Sequence, residues 1–302
     1  MTRFARLAVA ASLATYLLIV VGGLVRATDS GLACPDWPLC SPGSGWLAPP
    51  ELHAWIEHSH RLIAEILVGP LVAAVAFITL FSTRRHDRPM LIAAVTAGVL
   101  VVLQALLGGQ VVIQQLRAEL VTAHLAMALT VLALTILIAD RAAAGPLPAS
   151  AAGGPTGLIT LTAGAVFVQM LLGSWVSGSG AGLAFTDFPL MDGGLLPAIT
   201  VANQAIQLLH RLLAIGVLAL VVWVAMSVRA RVSSGLARRL ATAAGLLVLL
   251  QLALGAANIW SRLSALFVVP HLAVGAALWA VTVWLWLAFR RTTPQTPAQG
   301  AA

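Results

Sequence analysis

Apolar residues fall into eight long runs, at roughly 7–25, 57–80, 90–113, 121–139, 157–177, 204–228, 240–259 and 265–289, separated by polar or glycine-rich breaks. A helix of about 20 apolar residues crosses a bilayer. The runs lack the alternation of barrel strands, and a helix satisfies its own backbone in lipid, so each is read as a transmembrane helix. The pattern predicts an all-α membrane protein of eight spans. Composition sharpens this. Of 302 residues, 60% are hydrophobic and 9% charged, against about 25% charged in a soluble domain. Soluble enzyme folds and nucleic-acid-binding domains are thereby set aside.

The net charge is +7, and all 17 basic residues are arginines. They form short clusters between the apolar runs, which is a topology signal and not a nucleic-acid-binding stripe. Arg3 and Arg6 precede the first span. Arg84, Arg85 and Arg88 lie between the second and third, and Arg141 follows the fourth. Arg229, Arg231, Arg238 and Arg239 join the sixth and seventh, and Arg290 and Arg291 follow the eighth. That makes 12 arginines on one side, against five on the other: Arg26, Arg61, Arg117, Arg211 and Arg262. The positive-inside rule then predicts both termini in the cytoplasm, with loops 26–56 and 178–203 facing outward from a bacterial inner membrane. Gly31-Leu32-Ala33-Cys34 has the shape of a lipoprotein cleavage site. It carries glycine where a larger aliphatic residue is expected, and the run before it is long for a signal core, so the first span is read as retained. The tail 292–302 reads as disordered.

The chain also repeats itself. Gly31-Leu32-Ala33-Cys34-Pro35-Asp36-Trp37-Pro38-Leu39-Cys40 aligns with Gly182-Leu183-Ala184-Phe185-Thr186-Asp187-Phe188-Pro189-Leu190-Met191, and Glu57 to Leu62 with Gln207 to Leu212. Gln104 to Gly108 aligns with Gln251 to Gly255, and His124 to Ala126 with His271 to Ala273. The order and near-constant offset predict two parallel four-helix units, residues 1–141 and 157–291, joined by a cytoplasmic linker at 142–156.

Four of the seven histidines belong to the repeat: His60, His124, His210 and His271. Each lies within about two turns of the outer end of an even-numbered span, so the four rings share one depth. An ionisable residue inside a span is costly and points to function, although an interhelical hydrogen bond is the simpler alternative. Two imidazoles facing each other across a four-helix bundle are the axial-ligand arrangement of a b-type haem. Zinc lacks its usual motif and third ligand here. Arg61 and Arg211 directly follow two of these histidines. They are candidates for haem propionates, or else interfacial arginines that snorkel.

The halves differ chemically. Glu57 sits one turn outward of His60 on the same face and is replaced by Gln207, which carries no proton to exchange. It is a candidate general base or charge stabiliser, or else a solvated carboxylate at a helix start. Glu65 is a second candidate buried acid, and its partner position is Ile215. His53 and His58 are placed at the interface and His86 in the cytoplasmic loop. Cys34 and Cys40 have no cysteine partners in the second half. Their outer loop faces an oxidising compartment, which favours a disulfide that serves either as a staple or in redox chemistry. The glycine-rich run 178–182 lacks the spacing and the preceding strand of a phosphate loop.

In conjunction, the paired outer histidines, the Glu-x-x-His-Arg and Gln-x-x-His-Arg repeats and the Cys-Pro-x-Trp-Pro-x-Cys loop resemble the haem A synthase family of cytochrome oxidase assembly, over nearly the whole chain. The resemblance implies oxidation of the C8 methyl of haem O to a formyl group by two successive hydroxylations. It implies that His60 and His124 bind haem O or haem A, and that His210 and His271 ligate a haem b cofactor. It also implies that Glu57 is the catalytic carboxylate and that Cys34 and Cys40 are the outer cysteine pair. The partners implied are haem O, haem O synthase, a membrane electron carrier, the lipid bilayer and a second copy of the chain. The alternative is a dihaem b-type electron-transfer protein, linked to quinone, that leaves its haems unaltered. A thiol-disulfide oxidoreductase would need a second cysteine pair, and a transporter would need polar residues at the midplane.

Overall fold

The computed structural model describes residues 1–40, 47–148, 155–195 and 197–292. Eight helices are long and apolar enough to span a membrane: α1 (Arg3–Ala27), α2 (Leu52–Phe81), α3 (Arg88–Ile113), α4 (Ala118–Ala144), α5 (Thr156–Gly178), α6 (Ala202–Arg231), α7 (Leu236–Trp260) and α8 (Ala265–Arg290). They are the eight predicted runs, reaching a few residues further at one or both ends. The expected disordered tail lies, beyond Thr292, outside the described residues, as does 149–154 of the expected linker.

Capping accounts for some of the added length. The Thr2 side chain accepts the Ala5 N–H at 3.2 Å, and Asp87 accepts the Met90 N–H at 3.2 Å, each satisfying a donor that the first helical turn leaves open. Asp87 also accepts bonds of 2.6 and 3.1 Å from Arg141, tying the start of α3 to the last turns of α4. Arg141 thus lies inside α4 and not beyond it. Helix α2 changes register midway. Ile63–Val68 is a π-helical turn between α-helical Leu52–Leu62 and Gly69–Phe81. Pro70 has no N–H to donate and its ring crowds the preceding turn, and the wider turn accommodates both.

Helices α1 to α4 pack in succession and α4 returns to α1, while α5 to α8 close in the same way. Small buried residues on α1 (Ala8, Ala11, Ser12, Ala14 and Thr15) allow close helix approach. The two rings meet along α1 and α4 on one side and α5 and α8 on the other. Polar groups cross this seam. Tyr16 donates to the Ala273 carbonyl at 3.1 Å, Trp279 to the Leu129 carbonyl at 2.9 Å and Thr122 to Ser174 at 3.2 Å. At the far end, Arg291 of the α8 terminus grips Asp140 and the carbonyls of Ala144, Gly145 and Pro146.

Candidate functional site

His60, His124, His210 and His271 occupy the first turns of α2, α4, α6 and α8. His60 lies within electrostatic reach of His124, and His210 of His271. Each ring is lodged in a notch made by a glycine on the preceding helix. A β-carbon on Gly22 would stand 3.1 Å from Cε1 of His60, and one on Gly108 3.2 Å from Cε1 of His124. For Gly173 and His210 the distance is 3.1 Å, and for Gly255 and His271 it is 3.3 Å. The imidazoles therefore sit where only hydrogen lies between them and a neighbouring backbone. Buried Nδ1 atoms of His60, His124 and His271 have no partner among the described residues.

Beside the histidines the two halves repeat a second device. Glu57 is 3% exposed, and its carboxylate accepts the Cys34 N–H at 2.8 Å and pairs with Arg61. Arg61 donates in turn to the carbonyls of Asp36 (2.7 Å), Leu39 (3.0 Å) and Cys34 (2.7 Å). In the other half Gln207, equally buried, accepts the Phe185 N–H at 2.6 Å and donates to the Gly182 carbonyl at 2.6 Å. Arg211 reaches the carbonyls of Leu190 and Asp187, each at 3.0 Å, and stands over the Phe188 ring at 5.7 Å. A side chain one turn before the histidine and the arginine just after it thus hold the inter-helix loop. The loop they hold is closed by the Cys34–Cys40 disulfide in the first half.

One expectation needs correction, and one alternative falls away. Glu57 is not a solvated residue at a helix start, because the folded-back loop covers it. His58 lies near the start of α2. It is buried, with neither ring nitrogen partnered among the described residues, and its ring meets Trp55 edge-on at 5.9 Å. Glu65 is not buried. It is exposed within the π-helical turn, whose added residue rotates it off the packed face. His53 is exposed, with Nδ1 2.9 Å from the Ser30 hydroxyl. His86 ends the short 3-10 turn Thr83–His86 between α2 and α3.

At the sequence level Gln104 and Gln251 figure only as part of the repeat, with no role, and Gln169 is passed over. Gln104, Gln169 and Gln251 each stand four residues before a notch glycine, and each reaches the histidine lodged against it. The shared Gln-x-x-x-Gly spacing on α3, α5 and α7 is the signal that would have found them.

The arrangement suits an iron porphyrin. Each half offers two half-buried imidazoles, and Nδ1 of His60, His124 and His271 has no partner among the described residues; a pair of imidazoles is the donor set for a bis-histidine haem. Comparisons with known proteins point the same way. The COX15-CtaA model, described as cytochrome oxidase assembly protein, matches residues 5–53 and 46–283. A protein of Caulobacter vibrioides named heme A synthase is 33% identical, covering 90% of this chain and 92% of its own length. Heme A synthases of Methylobacterium sp. (32% identical, 76% of each chain) and Shouchella clausii (31%, 74% of this chain and 77% of that one) are similar as well. With its eight membrane helices and a match over nearly its whole length, the chain belongs to the COX15-CtaA family of cytochrome oxidase assembly proteins.

Proposed function

We propose that the chain is a haem A synthase. It oxidises the C8 methyl of haem O to a formyl group by two successive hydroxylations and loss of water, in a bacterial inner membrane with both termini in the cytoplasm. The heme A synthases among its relatives support the activity, and the arginine asymmetry supports the orientation. In this reading residues 1–141 form the chemistry half, where His60 and His124 hold haem O or haem A. Residues 157–291 form the relay half, where His210 and His271 hold haem b. The bound porphyrin iron supplies the redox chemistry. The protein binds, orients and shields the macrocycle.

One observation carries the assignment of roles. Gln207 performs the same loop-holding task as Glu57 without charge, so the loop does not require a carboxylate. A buried carboxylate retained in one half only is then suited to accepting a proton or facing a developing cation. Arg61 pairs with it and holds it in place. The arginines have less freedom to meet propionates. Both terminal nitrogens of Arg61 are engaged with the loop and Glu57, leaving Nε–H, whereas Arg211 keeps Nε–H and one terminal donor.

The test is expression beside a haem O synthase, with pigment extraction and mass analysis. Haem A is the expected product. Glu57→Gln should retain both haems and lose about 100-fold or more in haem A output, the scale of a lost general base. Unaltered haem O from the parent protein would establish the electron-relay alternative, and full output from Glu57→Gln would remove the carboxylate's role.

A further inference from the structure

Three of the four lodged histidines are held by a glutamine, and the fourth is not. Gln104 donates to the His124 carbonyl at 3.0 Å. Gln169 donates to the His210 carbonyl at 3.1 Å and stands 3.1 Å from its Nδ1. Gln251 stands 3.3 Å from Nε2 of His271. All three sit one turn before the notch glycine on the helix facing the histidine. The equivalent place on α1, four residues before Gly22, is Leu18. Leu18 bears no hydrogen-bonding group, so His60 meets a glutamine neither at its ring nor at its carbonyl; Nδ1 of His124 and His271 is unpartnered too among the described residues, but His124 is held at its carbonyl and His271 at Nε2.

We propose that Gln104, Gln169 and Gln251 are positioning residues for their histidines, Gln104 through the His124 carbonyl and the other two at the rings, and that Leu18 leaves His60 the one candidate ligand with no glutamine at all. The N-terminal haem is then the exchangeable one. This rests on the reading of the four histidines as haem ligands and goes beyond it, since it says which ligand lets go. A group fixed by a polar partner loses less freedom when it binds iron, and partners of ligating histidines are worth about 10–100-fold in affinity. A substrate that must enter and a product that must leave need one weak ligand, whereas a resident cofactor is best held by two firm ones. The clasp pattern matches that division: both histidines are clasped in the C-terminal half and one in the N-terminal half.

The experiment measures haem release from the purified full-length protein to excess apomyoglobin. Each half is isolated in turn, His271→Ala leaving the N-terminal haem and His60→Ala the C-terminal one. The N-terminal haem should leave faster. Leu18→Gln should slow that release about tenfold, and Gln251→Leu should speed release from the other half about tenfold. The g values of the ferric low-spin haem should shift in Gln104→Leu and Gln251→Leu, because they follow imidazole orientation, which a packing defect alone leaves unchanged. Should Leu18→Gln not accumulate, the two glutamine variants decide the matter in the same assay. Equal release from both halves, with the glutamine variants unchanged in rate and g value, overturns the inference while the ligand reading stands. A parent protein that takes up no haem overturns the ligand reading itself.

Discussion

Glu57 and Gln207 differ by one proton-bearing oxygen against an amide nitrogen, and their surroundings are nearly superposable in kind. Each accepts a loop N–H, and each precedes an arginine that gathers loop carbonyls. The charge is therefore separable from the fold. Gln207→Glu should pair with Arg211, keep the haem content and create no second catalytic half. Absorption spectra and haem A yield check this, and a yield raised well above the parent would show that a carboxylate alone suffices. At this scale the sequence was informative where residues recur. The histidines, the Glu/Gln asymmetry and the cysteine pair all stood out in the repeat. Glu65 was misread because a helical wheel assumes uniform turns, and the burial of Glu57 and His58 was hidden because it assumes an open helix start. The π-helical turn and the loop folded over α2 violate both assumptions.

Among the elements, the eight helices were legible because each must be long and apolar to cross lipid. The loops were not, because their shape is set by side chains reaching back from the helices. Loop 178–203 shows this. The Asp187 carboxylate accepts the N–H groups of Gly193 and Asp192, both at 2.9 Å, and these hold it below the ordinary aspartate range. A lowered folded value means that the contribution to loop order is complete at neutral pH. It is lost only as pH falls through that value, below 3.8. Asp187→Asn should therefore loosen the loop at neutral pH, seen as faster amide exchange at Asp192 and Gly193, and should erase the acid-dependent step in the parent. An exchange rate unchanged by the substitution would show that the turn holds without its carboxylate.

For the whole molecule, two closed rings of helices meet along α1, α4, α5 and α8, and the histidines lie six to eight residues in from the starts of α2, α4, α6 and α8, in the layer that the arginine pattern predicts to be outer. The orientation of that layer is open to direct measurement, because Cys34 and Cys40 are the only cysteines in the chain. After reduction, a membrane-impermeant maleimide should label them in spheroplasts and not in inside-out vesicles. A fluorescent protein fused to the C-terminus should light up in the cytoplasm. Labelling confined to inverted vesicles would turn the protein over and place the chemistry on the other face.

The glycine notches extend the cost of each ligand to a helix that carries none. A methyl group on Gly22, Gly108, Gly173 or Gly255 would stand 3.1–3.3 Å from an imidazole, so each ring would have to give way slightly, and crowding a packed interior costs about 1–3 kcal/mol. A saturation scan of the odd-numbered helices should find these four sites less tolerant of alanine than Gly157 and Gly164, which meet nothing, alongside the still tighter Gly23 and Gly109. Under the proposed ligand assignment, the positions of the four would mark the haem-holding histidines on helices that carry none of them.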